Sequence, residues 1–186
     1  KGNVYTSFSC TSKIKSICDH FGLEHHVTKI GFKYICEEMI SNPTLLGGEE
    51  SGGIAVSSHI PERDGIWMGL ILWEYMANTG KSLSRLIQEV YQITGSFAMD
   101  RYDLHVPESK KQAIINQCKE KSYSQFGDYP VTGHEDIDGY KFLLNEDNWV
   151  MIRPSGTEPV LRVYAQANNI NEVIQILDAT KETILA

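Results

Sequence analysis

Arg153-Pro154-Ser155-Gly156-Thr157-Glu158-Pro159 lies between two apolar runs, Trp149-Val150-Met151-Ile152 before it and Val160-Leu161 after it. Aromatic and β-branched residues dominate both runs, so the pattern predicts two strands joined by a short polar loop at a sheet edge. The loop concentrates hydrogen-bond donors. Arg153 offers a planar fork of N–H groups that matches phosphate oxygens. Ser155 and Thr157 add hydroxyls, and Gly156 lets backbone N–H groups turn toward an anion. Pro154 and Pro159 stiffen the two ends. Two readings fit these residues: a phosphate cradle and a polar hairpin turn.

Around this loop, the residues beyond Thr94-Gly95-Ser96 predict a small α+β domain over 97–186 with an antiparallel sheet. A strand is expected over 97–105. Pro107 opens a helix over 108–122 whose inner face carries Ala113, Ile114 and Cys118. Short strands follow around 135–137 and 140–144, with a turn at Asn145-Glu146-Asp147-Asn148. Asn171 is the expected cap of a last helix with Val173, Ile174, Leu177, Thr180 and Ile184 inward.

Upstream, residues 1–94 alternate strand and helix, which predicts an α/β domain with a mixed or parallel sheet. Strands are expected at 4–8 and 23–28. A helix over 13–20, capped by Thr11 or Ser12 and ended by Gly22, turns Ile14, Ile17, Cys18 and Phe21 inward. Gly31 opens a helix over 32–41 striped by Phe32, Ile35, Cys36 and Met39. Lys33 lies off that stripe, either as a solvated surface lysine, which its position favours, or as a residue kept for a ligand. The adjacent His25 and His26 point to opposite faces of their strand and do not share a metal. Asp64 caps a helix over 65–78 that is apolar nearly all round, hence expected to be central and buried. Ser82 caps another over 83–93, with Leu83, Leu86, Ile87 and Val90 inward.

Between these helices lies Gly47-Gly48-Glu49-Glu50-Ser51-Gly52-Gly53. Its four glycines permit close backbone approach to a ligand. A carboxylate beside a hydroxyl suits sugar hydroxyls, which both donate and accept. A flexible hairpin with solvated glutamates is the other reading.

Composition narrows the function. The chain has 186 residues, 41% of them hydrophobic, which supports packed cores in one or two domains. A net charge of -7 argues against a nucleic-acid surface, although a few local arginines still suffice for a small anion. The longest apolar run, 66–73, contains Gly69 and is too short to span a bilayer. Cys10, Cys18, Cys36 and Cys118 form no Cys-x-x-Cys pair, so reduced thiols and a cytoplasmic setting are expected rather than a zinc site or disulfide framework. The chain starts without Met and without an apolar leader, and is expected to be a piece of a longer protein.

Taken together, the motifs resemble the α-D-phosphohexomutase family, the phosphoglucomutases and phosphomannomutases. Gly48-Glu49-Glu50-Ser51-Gly52-Gly53 is similar to the sugar-binding loop of the family's third domain. His59-Ile60-Pro61-Glu62-Arg63-Asp64-Gly65 is similar to the segment that enters its buried helix. Arg153 to Pro159 resembles the phosphate loop of its fourth domain, and Gly31-Phe32-Lys33-Tyr34-Ile35 also fits. The order and spacing agree, so the resemblance covers nearly the whole chain: the third domain over 1–94, with its first element possibly outside the chain, and the fourth over 97–186.

The resemblance implies interconversion of hexose 1-phosphate and 6-phosphate through a hexose 1,6-bisphosphate, with a phosphoserine as donor and Mg²⁺ as cofactor. The family's Thr-Ala-Ser-His-Asn-Pro serine loop and Asp-Gly-Asp-Gly-Asp metal loop have no counterpart in this sequence. The chain by itself is therefore expected to be inactive and to depend on the N-terminal domains of the same protein. Glu49 and Ser51 are expected to hold sugar hydroxyls. Arg153, Ser155, Gly156 and Thr157 are expected to hold the non-reacting phosphate, with Arg162 as a second guanidinium. Arg63 stands where many relatives carry Lys; it stays protonated, so its expected role is electrostatic. Lys33 becomes a candidate substrate contact. Glucose and mannose phosphates are the expected substrates because the loop reads Glu-Glu-Ser-Gly-Gly. No nucleic-acid or membrane partner is expected. The alternative is a non-catalytic phosphosugar-binding or regulatory module.

Overall fold

The computed structural model describes residues 2–155 and 160–186, and the chain divides into two compact units, Lys1–Gly95 and Ser96–Ala186. The first contains β1 (Asn3–Ser7), α1 (Lys13–Phe21), β2 (His25–Thr28), α2 (Phe32–Ser41), β3 (Thr44–Gly48), β4 (Ile54–Val56), α3 (Gly65–Thr79) and α4 (Leu83–Thr94). Its sheet runs β2-β1-β3-β4. β1 is parallel to both neighbours, and β3 and β4 form an antiparallel hairpin. The sheet is therefore mixed, as the alternating pattern implied.

Alternation along β1 distributes its side chains between two layers. Tyr5 packs with Phe32, Ile35 and Ala55, flanked by Cys36 and Met39, so α2 covers one face. Val4 and Thr6 point the other way, and together with Ile14, Ile17 and Cys18 of α1 they line an apolar groove. Gly47 lets α2 approach: a Cβ there would lie 2.3 Å from Ile35 Cγ2. His25 and His26 do take opposite faces, one bonded to Thr6 Oγ1 at 2.7 Å and the other stacked on Tyr5.

Three expectations for this unit are corrected. α3 is not buried: Ile66, Leu70 and Trp73 are 81%, 52% and 74% exposed. A helix that is apolar all round calls for an apolar environment, but its sequence does not say which segment supplies it. Here both sheet faces already carry α1 and α2. Leu83, Ile87 and Val90 of α4 are likewise exposed, as is Phe21 at the end of α1.

The second unit contains β5 (Ala98–His105), α5 (Glu108–Lys119), β6 (Gln125–Phe126), β7 (Tyr129–Pro130), β8 (Gly133–Glu135), β9 (Tyr140–Leu143), β10 (Trp149–Pro154), β11 (Val160–Ala167) and α6 (Ile170–Leu185). Five strands form an antiparallel sheet in the order β5-β11-β10-β9-β8, and β6 pairs with β7 separately. Phe142, Val150, Ile152, Leu161, Val163 and Ala165 meet Ile114 and Cys118 of α5 and Val173, Ile176, Leu177 and Ile184 of α6 in one core.

β10 and β11 are interior strands, so the Arg153 loop joins strands inside the sheet order rather than at its edge. Asn169, not Asn171, caps α6 by accepting from Glu172 N. The inward set then includes Ile176, while Ile174 is exposed. Ala113 is exposed, and Ile115 is buried in its place.

Candidate functional site

In the first unit, the β3–β4 turn brings the acidic residues to the carboxyl end of β3. Glu49 N donates to Gly53 O at 2.9 Å and Gly52 N to Glu49 O at 3.1 Å, which closes a tight loop. Gly52 adopts φ +85°, a conformation that disfavours a side chain. The two glutamates then diverge. Glu49, its side chain 8% exposed, accepts from Arg63 Nη1 at 2.8 Å. Glu50 Oε2 accepts from Ser9 Oγ and from Ser7 Oγ, the latter at 3.2 Å. Ser51 is exposed.

The segment carrying Arg63 is fixed at both ends. Ser57 N donates to Leu45 O at 3.1 Å and Asp64 N to Ile54 O at 3.3 Å. Asp64 Oδ1 accepts from Ile66 N and Trp67 N, capping α3, and Oδ2 lies 2.9 Å from His59 Nε2. The His59 ring stacks on Trp67 at 4.8 Å. The Trp67 amide and then His59 hold the Asp64 carboxyl below the usual carboxylate range. Arg63 also overlies the Phe32 ring at 5.5 Å, and Lys33, exposed beside Phe32, lies over Tyr34 at 4.7 Å.

In the second unit, Arg153 and Arg162 are direct cross-strand partners. Because Val150, Ile152 and Val163 face the core, alternation places both guanidiniums on the opposite sheet face. Asp103 is the cross-strand partner of Arg162 on the next strand. Asp138 Oδ2 lies 3.2 Å from Arg153 Nη2. Asp103 Oδ1 is 3.9 Å from Arg162 Nε and 2.9 Å from Arg101 Nε. Among the described residues, Arg101, Arg153 and Arg162 thus lie beside Asp103 and Asp138. Arg153 Nε is buried with no hydrogen-bond partner among the described residues. Ser155 is buried, and its N–H donates to Val160 O at 2.9 Å, closing the base of the loop. Gly156 and Thr157, both expected phosphate ligands, lie outside the described residues.

The structure therefore brings Glu49, Ser51 and Arg63 together on the first unit, with Lys33 on the neighbouring helix, and Arg153, Ser155 and Arg162 together on the second. Sequence reading missed Ser7, Ser9, His59, Arg101, Asp103 and Asp138. Alternating hydroxyls in Ser7-Phe8-Ser9 at a strand exit and the alternating charges of Asp100-Arg101-Tyr102-Asp103 were the available signals. Among the described residues, no group of three or more His, Cys, Asp or Glu side chains is arranged to hold a metal, and no helix is long and apolar enough to cross a membrane.

Two family models match the chain. One, described as phosphoglucomutase/phosphomannomutase, alpha/beta/alpha domain III, matches residues 1–93, and the other, the C-terminal domain of the same family, matches residues 104–182. Phosphoglucosamine mutase of Methanocaldococcus jannaschii is 35% identical over 81% of this chain and 32% of its own length. Phosphoglucomutase/phosphomannomutase of Thermococcus kodakarensis is 27% identical over 95% of this chain and 36% of its own. A solved structure of a candidate phosphomannomutase from Thermus thermophilus superposes with a TM-score of 0.81 at 29% identity, covering 100% of this chain and 37% of that one. The chain spans about a third of the length of the curated relatives it matches.

Proposed function

The chain belongs to the phosphoglucomutase/phosphomannomutase family, comprising its third and C-terminal domains, and from that premise we propose that it supplies the sugar- and phosphate-holding contacts of a phosphohexomutase. The reaction of the whole protein is the exchange of a hexose phosphoryl group between the 1- and 6-positions through a bisphosphate. One observation carries this reading. Arg153 and Arg162 face each other across paired strands, on the sheet face turned away from the core. Like charges directly opposite in a sheet are unfavourable, and an anion between them reverses the sign.

In this reading, Arg153, Ser155 and Arg162, with Gly156 and Thr157 of the same loop, hold the phosphate that does not react. Glu49 and Ser51 take sugar hydroxyls. Arg63 orients Glu49 and contributes fixed positive charge, and Lys33 is a further cation beside it. The described residues do not fit a divalent cation, since they offer no cluster of three ligands, and none of these roles runs through one. Holding and orienting are the main contributions a protein makes to phosphoryl transfer. The chain alone binds phosphosugar weakly and has no mutase activity.

The test is an amide NMR titration with glucose 1-phosphate, glucose 6-phosphate and inorganic phosphate. All three are expected to shift Arg153 and Ser155, and only the sugars Glu49 and Ser51. Unmoved resonances at Arg153 with every ligand would sink the reading. A second reading for the substrate is favoured by the phosphoglucosamine mutase relatives. Glucosamine 1-phosphate binding more tightly than glucose 1-phosphate supports it, and equal or weaker binding favours glucose and mannose.

A further inference from the structure

β1 and β3 are adjacent parallel strands, and β2 lies on the far side of β1. The chain therefore leaves β1 and returns at β3 on the opposite side, making the β1/β3 exits a topological switch point. In open α/β sheets, ligands bind outside the carboxyl ends of the strands at such points. Here Ser7 ends β1 and Ser9 and Cys10 follow it, and Gly48 ends β3 and Glu49 and Glu50 follow it.

The contacts between the two exits run in one direction. Ser7 and Ser9 are 1% and 0% exposed, and their hydroxyls both donate to Glu50 Oε2. A serine has one proton to donate, so both are committed to this carboxylate. The Cys10 thiol donates to Gly48 O at 3.6 Å, and burial pushes its pKa up to about 11, so it stays protonated in that role. On the other side of the loop, Arg63 holds Glu49. Gly52 and Gly53 bring no side chains, so the two carboxylates are the loop's side-chain anchors. Glu50 ties it to β1, and Glu49 ties it to the segment before α3.

We infer that Ser7 and Ser9 are positioning residues for the sugar-binding loop: by holding Glu50 at the exit of β1 they fix where Glu49 and Ser51 stand. The inference rests on Glu49 and Ser51 contacting the sugar. It gives the adjacent glutamates different tasks, Glu49 toward ligand and Arg63, Glu50 toward the scaffold. The loop is thereby ordered before ligand arrives, which spares the entropy of ordering it on binding.

The test uses the 186-residue chain, glucose 1-phosphate and inorganic phosphate. Ser7→Ala/Ser9→Ala is expected to weaken glucose 1-phosphate binding by about five- to tenfold, the cost of ordering one or two side chains. At one sub-saturating sugar concentration it strongly reduces the sugar-dependent shifts of Glu49 and Ser51 and leaves the inorganic phosphate shifts of Arg153 and Ser155 unchanged. Glu50→Gln still accepts both hydroxyls and retains the sugar shifts, whereas Glu50→Leu loses them. This second pair alters an exposed side chain and carries the test if the double alanine variant does not fold. Retained sugar shifts in Ser7→Ala/Ser9→Ala or Glu50→Leu, with Glu49→Ala losing them, overturn the positioning role and leave the sugar-contact reading intact. Absence of sugar-dependent shifts in the unsubstituted chain overturns both.

Discussion

Arg63 reaches Glu49 across the open side of Gly53: Nη1 lies 2.8 Å from Glu49 Oε2, and a Cβ on Gly53 would stand 3.0 Å from Arg63 Cδ. A loop residue, a residue just before the cap of α3, and a missing side chain thus form one local unit. Its partners differ in exposure, 54% for the arginine side chain and 8% for the glutamate. The arginine is screened by water, so this pair contributes more to geometry than to stability.

Arg63→Ala is accordingly expected to lower unfolding stability by less than about 1 kcal/mol in urea titrations followed by tryptophan fluorescence. The same substitution is expected to weaken glucose 1-phosphate binding, because Glu49 loses the group that aims it. Unchanged affinity would show that Glu49 is oriented without Arg63.

Arg153→Ala removes a charged donor from the face shared with Arg162. Phosphate binding should weaken by roughly 1.5–3 kcal/mol, as for a hydrogen bond to a charged group. Calorimetric titration at constant ionic strength measures it, and a loss below about 0.5 kcal/mol would exclude Arg153 as the anchor. Phosphate should also raise the Tm of the unsubstituted chain, since binding to the folded state stabilises it by mass action.

The Gly47–Ile35 approach predicts a packing defect with a compensating partner. Gly47→Ala adds a methyl group 2.3 Å from Ile35 Cγ2 and is expected to cost about 1–3 kcal/mol by overpacking. Ile35→Ala alone should cost about 2–5 kcal/mol by opening a cavity. The double variant should be more stable than the sum of the two losses predicts, because the added methyl occupies vacated space. Simple additivity in chemical denaturation would argue against this contact.

Asp64 makes the start of α3 sensitive to acid. Its carboxyl is held below the ordinary range by the Trp67 amide and His59, so the folded state binds this proton less readily than the unfolded state. The stabilisation is complete above the unfolded value and is lost as pH falls through the lowered folded value. Amide shifts of Ile66 and Trp67 should follow one titration in the acid range. Asp64→Asn, which still caps, should abolish that titration while preserving the helix start. A titration that persists in Asp64→Asn would assign it to another group.

Much of the scaffold was readable residue by residue. Gly31 and the Phe32, Ile35, Cys36, Met39 stripe marked α2 with the boundaries it has, and Asp64 and Ser82 announced their helices because a side-chain cap acts within a few residues. The polar loop between apolar runs gave the β10–β11 hairpin, since alternation and turn chemistry are local. The sugar-loop residues were legible as a motif, but their division of labour was not: Ser9 and Glu50 are separated by 41 positions.

What the sequence by itself determined, then, is which segments become helices and strands, where most of them are capped, and which loops concentrate arginine, hydroxyl and carboxylate side chains. Only the tertiary structure decided that Arg162 stands opposite Arg153, that Glu50 is tied to Ser7 and Ser9, and that the apolar surface of α3 stays exposed. The physical reason is the range of the interactions. Propensity, capping and periodicity act within a few residues, whereas register, burial and paired charges depend on which distant segment folds alongside.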